Sequence, residues 1–316
     1  MTFHLDKIQT RVASVYVVSI IGVFVPGYLI VGLYDLMHDL AIVCEESARL
    51  AGKILLDWRG QFLVREKARF DLVTEADLAA QEAIREKILA SFPDHAFLGE
   101  EDTSGSEANE LLQYEYCWVV DPLDGTTNYV HGFKNYCTSI ALLQRGQIIL
   151  GVIYAPEFGD CYTAVRGGGA YLNGEKLATS QIKHLGQALI ASGFAPNVGA
   201  DSVEASIFLQ LLGRSQSIRR LGSAALNLCY LAAGQLDGYW ALSVKPWDVA
   251  AGLLLVEEAG GVVAAPDGGP VNIQSPQLVT TSTSALQGEL REVINNVLRS
   301  RESPKDSRGC EDGSLE

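Results

Sequence analysis

The segment Asp121-Pro122-Leu123-Asp124-Gly125-Thr126-Thr127-Asn128 carries the residue types most suited to chemistry in this chain. It follows the apolar run Cys117-Trp118-Val119-Val120, so it sits where a buried strand ends and the chain turns. Two carboxylates in such a place offer hard oxygen ligands to a divalent cation such as Mg²⁺. The Gly-Thr-Thr that follows offers free backbone N–H groups at the opening of a helix, where a phosphate is attracted. One short segment thus holds both halves of a metal-assisted phosphate-ester hydrolysis. Further carboxylates stand at other element ends: Glu100 and Glu101 after Gly99, Asp77 near a helix start, and Asp248 at the start of an apolar helix. Ligands gathered at strand C-termini and helix N-termini are what an open α/β site requires. Taken singly, Asp77 and Asp248 read as helix-capping residues and Glu100-Glu101 as solvated loop charges. The joint pattern favours a site.

The elements that must position these groups follow from periodicity. Leu40, Val43, Cys44, Ala51, Ile54 and Leu55 recur at helical spacing, and this helix ends at Gly60. A strand over Gln61 to Glu66 precedes a helix opened by Thr74, with Asp77 completing a capping box, that runs to about Ala90. Strands are expected at His95 to Gly99 and Tyr116 to Val120, separated by a polar loop at Asp102 to Asn109, then a meander at Thr138 to Leu143, Gln147 to Tyr154 and Asp160 to Arg166. The triplet Gly167 to Gly169 reads as a turn, since no helix follows to make a dinucleotide site. Beyond Gly174, strands alternate with helices: a strand at Ala188 to Ser192, a helix at Ser202 to Leu212, and one capped by Ser223 that stops at Gly234. A strand at Trp240 to Val244, a buried helix at Trp247 to Ala259, strands at Val262 to Ala265 and Leu278 to Thr281, and a last helix to about Arg299 complete the outline.

The 316 residues suffice for two domains. The expected division is a hydrophobic extension over 1–36, an N-terminal α+β metal- and phosphate-binding domain over 37–178, a C-terminal α/β domain over 179–299, and a disordered tail over 300–316. The balance of 24 basic against 38 acidic residues, a net −14, argues against nucleic acid as a partner. An acidic protein still takes an anionic substrate where bound metal ions reverse the local field. The six cysteines have no C-x-x-C spacing and read as reduced, mostly buried thiols of a cytoplasmic protein. Val12 to Tyr34 contains no charged side chain and, as a helix, would span about 35 Å, enough for a bilayer. Pro26 and Gly27 weaken such a helix, so a non-native extension before Met37 is preferred, with membrane anchoring through residues 12–34 as the alternative.

Three blocks together (Gly99-Glu100-Glu101, Trp118 through His131 across the Asp-Pro-Leu-Asp-Gly-Thr-Thr segment, and Lys245-Pro246-Trp247-Asp248-Val249-Ala250-Ala251-Gly252) resemble the signatures of the inositol monophosphatase family of Mg²⁺-dependent, lithium-sensitive phosphatases. Lys67 with Asp71 to Asp77, and Leu221-Gly222-Ser223-Ala224-Ala225, match two further blocks in the same order, so the resemblance extends over about Met37 to Arg299. It implies a layered αβαβα sandwich of α+β or α/β class, two to three Mg²⁺ ions, a small phosphorylated polyol as substrate, and a homodimer. By position, Glu100, Asp121 and the Leu123 carbonyl would hold one metal, and Asp121, Asp124 and Asp248 a second. Glu100 would assist a third. Gly125 and Thr126 would receive the phosphate, with Leu123, Asp124, Glu100, Ala224 and Asp248 around the substrate. Thr126 and Asp77 would orient the attacking water near Glu100 and Glu101. His131 is read as structural. In the animal inositol enzymes of that family, and in many bacterial ones, a glutamate stands where this chain has Ala241. Inositol 1-phosphate is the leading substrate, with histidinol phosphate and fructose 1,6-bisphosphate as alternatives, and a non-catalytic interaction protein on the same fold as the rival reading.

Overall fold

The computed structural model describes residues 27–69, 71–102, 113–195 and 198–302. Most of the loop at Asp102 to Asn109, residues 12–26 of the apolar stretch, Cys310 and the tail from 303 lie outside the described residues. Among the described residues no helix is long and apolar enough to cross a membrane, and the five cysteines there are free and buried.

Two large sheets carry the fold. The first has seven strands in the order β3 (Ala96–Gly99), β4 (Tyr116–Asp124), β5 (Cys137–Gln144), β6 (Gln147–Ala155), β7 (Asp160–Val165), β8 (Gly169–Leu172) and β9 (Glu175–Lys176). Only the β3–β4 pair is parallel. The second runs β11 (Ser217–Arg219), β10 (Leu189–Gly193), β12 (Gly238–Ala241), β14 (Leu278–Thr281), β13 (Val262–Ala264), with the first three strands parallel to one another. A small hairpin pairs β1 (Val64–Ala68) with β2 (Asp71–Thr74).

Alternation along each strand decides what packs on each face. Trp118, Val120, Ile140, Leu142, Leu150 and Val152 face α1 (Gly27–Trp58) and α2 (Glu75–Ser91), whose buried stripes include Leu40, Cys44, Leu55, Ile84 and Ile88. Cys117, Val119, Ala141, Ile153 and Ala164 face the other way, onto α5 (Ala224–Ala232) and α6 (Pro246–Glu258). Helix α6 is buried on nearly every side because Ala191, Tyr239, Ala241 and Leu278 of the second sheet cover its far side. The outer face of that sheet, with Ile190, Trp240 and Val279, packs against α4 (Val203–Leu212) and α7 (Ser284–Glu302). The result is an α+β fold of five layers, αβαβα. Each fully buried Leu, Ile or Val contributes about 1.5–3 kcal/mol. Close approach of the layers is set by small residues: a Cβ on Gly151 of β6 would lie 2.9 Å from the backbone of Ala251 in α6.

Several elements depart from the sequence expectation. The first strand lies at Val64–Ala68 rather than Gln61 to Glu66, because it pairs with β2, which the periodicity did not reveal. The strand expected at Trp240 to Val244 is instead Gly238–Ala241; Gly238 fits where a Cβ would come within 2.8 Å of Ile190. The last helix continues through Ser300 to Glu302, past the expected start of the tail, with Arg301 bonded to Ser202 and Ser206 of the α4 start.

Candidate active site

The pair Asp121 and Asp124 depends on a bulge. Side chains three residues apart in a regular strand point to opposite faces. Here Asp121 pairs with Ser139 and Asp124 with Cys137, so three steps on β4 match two on β5. The extra residue is a β-bulge, and it turns both carboxylates to the face shared by Ser139 and Cys137, toward α5 and α6. Pro122 tolerates the place because a bulge needs no ladder donor, and its carbonyl accepts from Thr138 Oγ1 at 2.9 Å. The Leu123 N–H donates to Asp121 Oδ1 at 2.9 Å. Gly125 then turns with φ +95°, where an added Cβ would sit 3.0 Å from the Asn135 carbonyl, and α3 (Thr126–Val130) begins. The N–H groups of Gly125 and Thr126 open this helix with no preceding helical carbonyl to receive them.

Asp124 is tied across to the second sheet's helices. Its Oδ2 accepts from Ser223 Oγ at 2.5 Å and from the Ala225 N–H at 2.7 Å, and Oδ1 from the Ala224 N–H at 3.3 Å. Ser223 also caps α5 through the Leu226 N–H. The preceding loop is pinned by Asn128 and Asn135, whose amides both donate to the Leu221 carbonyl. Asp248 sits in the first turn of α6, with Oδ2 accepting from the Lys245 N–H at 2.8 Å. On the near side, Thr74 caps α2 and donates through N–H and hydroxyl to Asp77 Oδ2 at 2.9 and 2.5 Å. This leaves Asp77 Oδ1 facing the Thr126 hydroxyl at 3.3 Å; that hydroxyl is 3.0 Å from the Leu123 carbonyl. Glu100 and Glu101 follow β3 in a 3₁₀ turn, held by Lys67 Nζ at 2.9 and 2.6 Å and by Gln81, whose side-chain oxygen accepts the Glu101 N–H.

The electrostatics are those of crowded acids. Burial, then the charges of Glu100, Asp124 and Asp248, push Asp121 well above the usual carboxylate range. Burial, with Asp124 and Glu100, does the same to Asp248. Burial raises Asp124 to about 6 against the pull of Ser223, Ala225 and Ala224. Asp77 rises to about 6 and Glu101 to about 7, both chiefly by burial with Glu100 adding. Burial works against the Lys67 ammonium, but Glu100 and Glu101 outweigh it and hold its pKa above the ordinary lysine value. Among the described residues, no three His, Cys, Asp or Glu side chains are drawn together closely enough to enclose an ion as they stand. The carboxylates share a field without forming a closed shell. In donor type they fit a hard divalent cation, since all are oxygen ligands and their mutual repulsion is what a cation relieves.

The fold therefore brings together the residues expected from sequence: Glu100, Asp121, Asp124 and Asp248 by shared charge, and Asp77, Leu123, Thr126 and Ala224 by hydrogen bonds to one another or to these acids. His131 is exposed at the C-terminal end of α3, apart from this cluster of bonds. Gly167 to Gly169 form a turn whose N–H groups bind the Glu258 carboxylate. Sequence reading overlooked Gln81, although its position one helical turn after Asp77 marks the same face. The second role of Ser223, as donor to Asp124, was also unseen.

Comparison with known proteins shows the family. The profile of the inositol monophosphatase family matches residues 36–300. Inositol monophosphatase 2 of Solanum lycopersicum is 37% identical over 273 residues, covering 84% of this chain and all of the relative. Nus factor SuhB of Pasteurella multocida is 36% identical, covering 83% of this chain and 96% of the relative. Among solved structures, the Thermotoga maritima IMPase superimposes with a TM-score of 0.74 at 32% identity, covering 83% of this chain and 99% of that one. The extragenic suppressor protein suhB of Bartonella henselae gives 0.74 at 31%, covering 81% and 98%. With the family profile matched over residues 36–300 and relatives of 36–37% identity covered almost throughout their own length, this chain belongs to the inositol monophosphatase family.

Proposed function

We propose that the protein is a Mg²⁺-dependent phosphomonoesterase of small polyol phosphates, with inositol 1-phosphate as the leading substrate. The observation that carries this reading is the convergence of Glu100, Asp121, Asp124 and Asp248 from three separate elements into one field of repelling, largely buried charge. Such an arrangement costs stability and is retained where a cation uses it. Glu100, Asp121 and the Leu123 carbonyl would hold one ion, Asp121, Asp124 and Asp248 a second, and Glu100 would assist a third. Bound Mg²⁺ would neutralise the phosphate dianion, lower the pKa of the attacking water and stabilise the leaving alkoxide.

The chain's own groups do the rest. The Gly125 and Thr126 N–H groups, at the left-handed turn that opens α3, would receive the phosphate oxygens. The Thr126 hydroxyl, set between Asp77 Oδ1 and the Leu123 carbonyl, orients the attacking water, and Asp77 accepts its proton. Ala224 and Asp248 would stand around the substrate. The site lies between the proposed domains, 37–178 and 179–299. Relatives named Nus factor SuhB support a second reading, an interaction role on the same fold. Phosphate release from inositol 1-phosphate, histidinol phosphate and fructose 1,6-bisphosphate, with Mg²⁺ and with added Li⁺, separates the two. Mg²⁺-dependent release inhibited by Li⁺ supports the phosphatase; metal binding without release from any ester supports the interaction role.

A further inference from the structure

Asp124 takes its hydrogen bonds from three consecutive residues, Ser223, Ala224 and Ala225, at the start of α5. Its place among the other acids therefore depends on what holds that stretch of chain against the first sheet. Asn128 and Asn135, which both lie between β4 and β5, do so through Leu221, two residues before Ser223. Asn128 Nδ2 donates to the Leu221 carbonyl at 2.9 Å and to the Asn135 carbonyl at 2.7 Å. Asn135 Nδ2 donates to the same Leu221 carbonyl at 3.0 Å, while its Oδ1 accepts from the Tyr230 hydroxyl of α5 at 2.8 Å. Both protons of the Asn128 amide are used, and both lone pairs of the Leu221 carbonyl are filled. Gly222 completes the contact. It turns with φ +82°, and an added Cβ would lie 2.9 Å from Asn128 Nδ2, so its backbone rests on the amide.

The residue type also has an electrostatic consequence. A Lys or Arg could hold the same carbonyl, but it would bring a positive charge within four residues of Asp124 and weaken the field that draws a cation. An amide holds the carbonyl without charge. We propose that Asn128 and Asn135 are positioning residues: together they clasp the Leu221 carbonyl and so fix Asp124, through Ser223 to Ala225, where it serves a divalent cation. This extends the Mg²⁺-dependent reading above, on which it rests, to a contact between the two sheets' connecting segments.

The test compares wild type, Asn128→Ala and Asn135→Ala by calorimetric titration of Mg²⁺ well below the melting temperature, by melting temperature in chelator, and by the Mg²⁺ dependence of phosphate release from inositol 1-phosphate. Asn128→Ala loses two hydrogen bonds and is expected to weaken Mg²⁺ binding about tenfold, and Asn135→Ala about threefold. Turnover in both should recover as Mg²⁺ is raised. A contact that merely supports the fold lowers the melting temperature and leaves the Mg²⁺ affinity of the folded protein alone. Affinities within about twofold of wild type in both variants therefore overturn the inference. Should Asn128→Ala fail to fold, Asn135→Ala, which keeps Asn128 on the Leu221 carbonyl, decides by the same criterion. Wild type that binds Mg²⁺ but releases no phosphate overturns the phosphatase reading, and the calorimetric comparison still judges the clasp; wild type that binds no Mg²⁺ overturns both.

Discussion

The crowded carboxylates should leave metal-free protein less stable at neutral pH than in acid, and Mg²⁺ should relieve the same cost. Asp124 titrates near 6 in the folded chain and near 4 when unfolded, so its folded state holds the proton by about 3 kcal/mol more. Because the folded pKa is the higher one, the cost is fully present above that pKa. It disappears as the pH falls through 6 toward 4. Asp77 and Glu101, at about 6 and about 7, act in the same direction. The acids titrate as a group, so their separate shifts do not simply add, and 3 kcal/mol sets the scale of the effect. For a chain of this size that is about 6 °C in melting temperature. Thermal unfolding followed by fluorescence in chelator should therefore show a melting temperature that rises by several degrees between pH 7.5 and 5. Millimolar Mg²⁺ should raise it at pH 7.5 and flatten the dependence. A melting temperature that falls on acidification in chelator, or ignores Mg²⁺ at pH 7.5, would refute the reasoning.

Two substitutions test the supports of the site. Ser223→Ala removes both the cap of α5 and the 2.5 Å hydrogen bond to Asp124; a loss of about 1–2 kcal/mol in denaturant unfolding is expected, with more Mg²⁺ needed for half-maximal activity. Gly151→Ala drives a methyl into the Ala251 backbone, which should cost about 2–3 kcal/mol and lower activity through Asp248 on the same helix; wild-type stability would contradict the layer spacing.

The parts legible in the sequence are those fixed by local chemistry. Thr74 with Asp77 announces its helix because a cap and its reciprocal acid lie three residues apart, and the unbroken apolar run of α6 announces a helix covered on both sides. Position along the chain also placed Glu100, Asp121, Asp124 and Asp248 at element ends. What stayed hidden depends on pairing at a distance. The bulge at Pro122 is visible only against Ser139 and Cys137, and β2, β8, β9 and β11 are short strands defined by their neighbours.

Asp121 is the residue the account places on two metal ions at once, so its amide variant is the most direct test. Asp121→Asn, purified beside wild type and assayed for Mg²⁺-dependent phosphate release from inositol 1-phosphate, should unfold as cooperatively as wild type in chelator. Its turnover should fall by at least ~100-fold. Near-normal turnover in a folded Asp121→Asn protein would contradict the account.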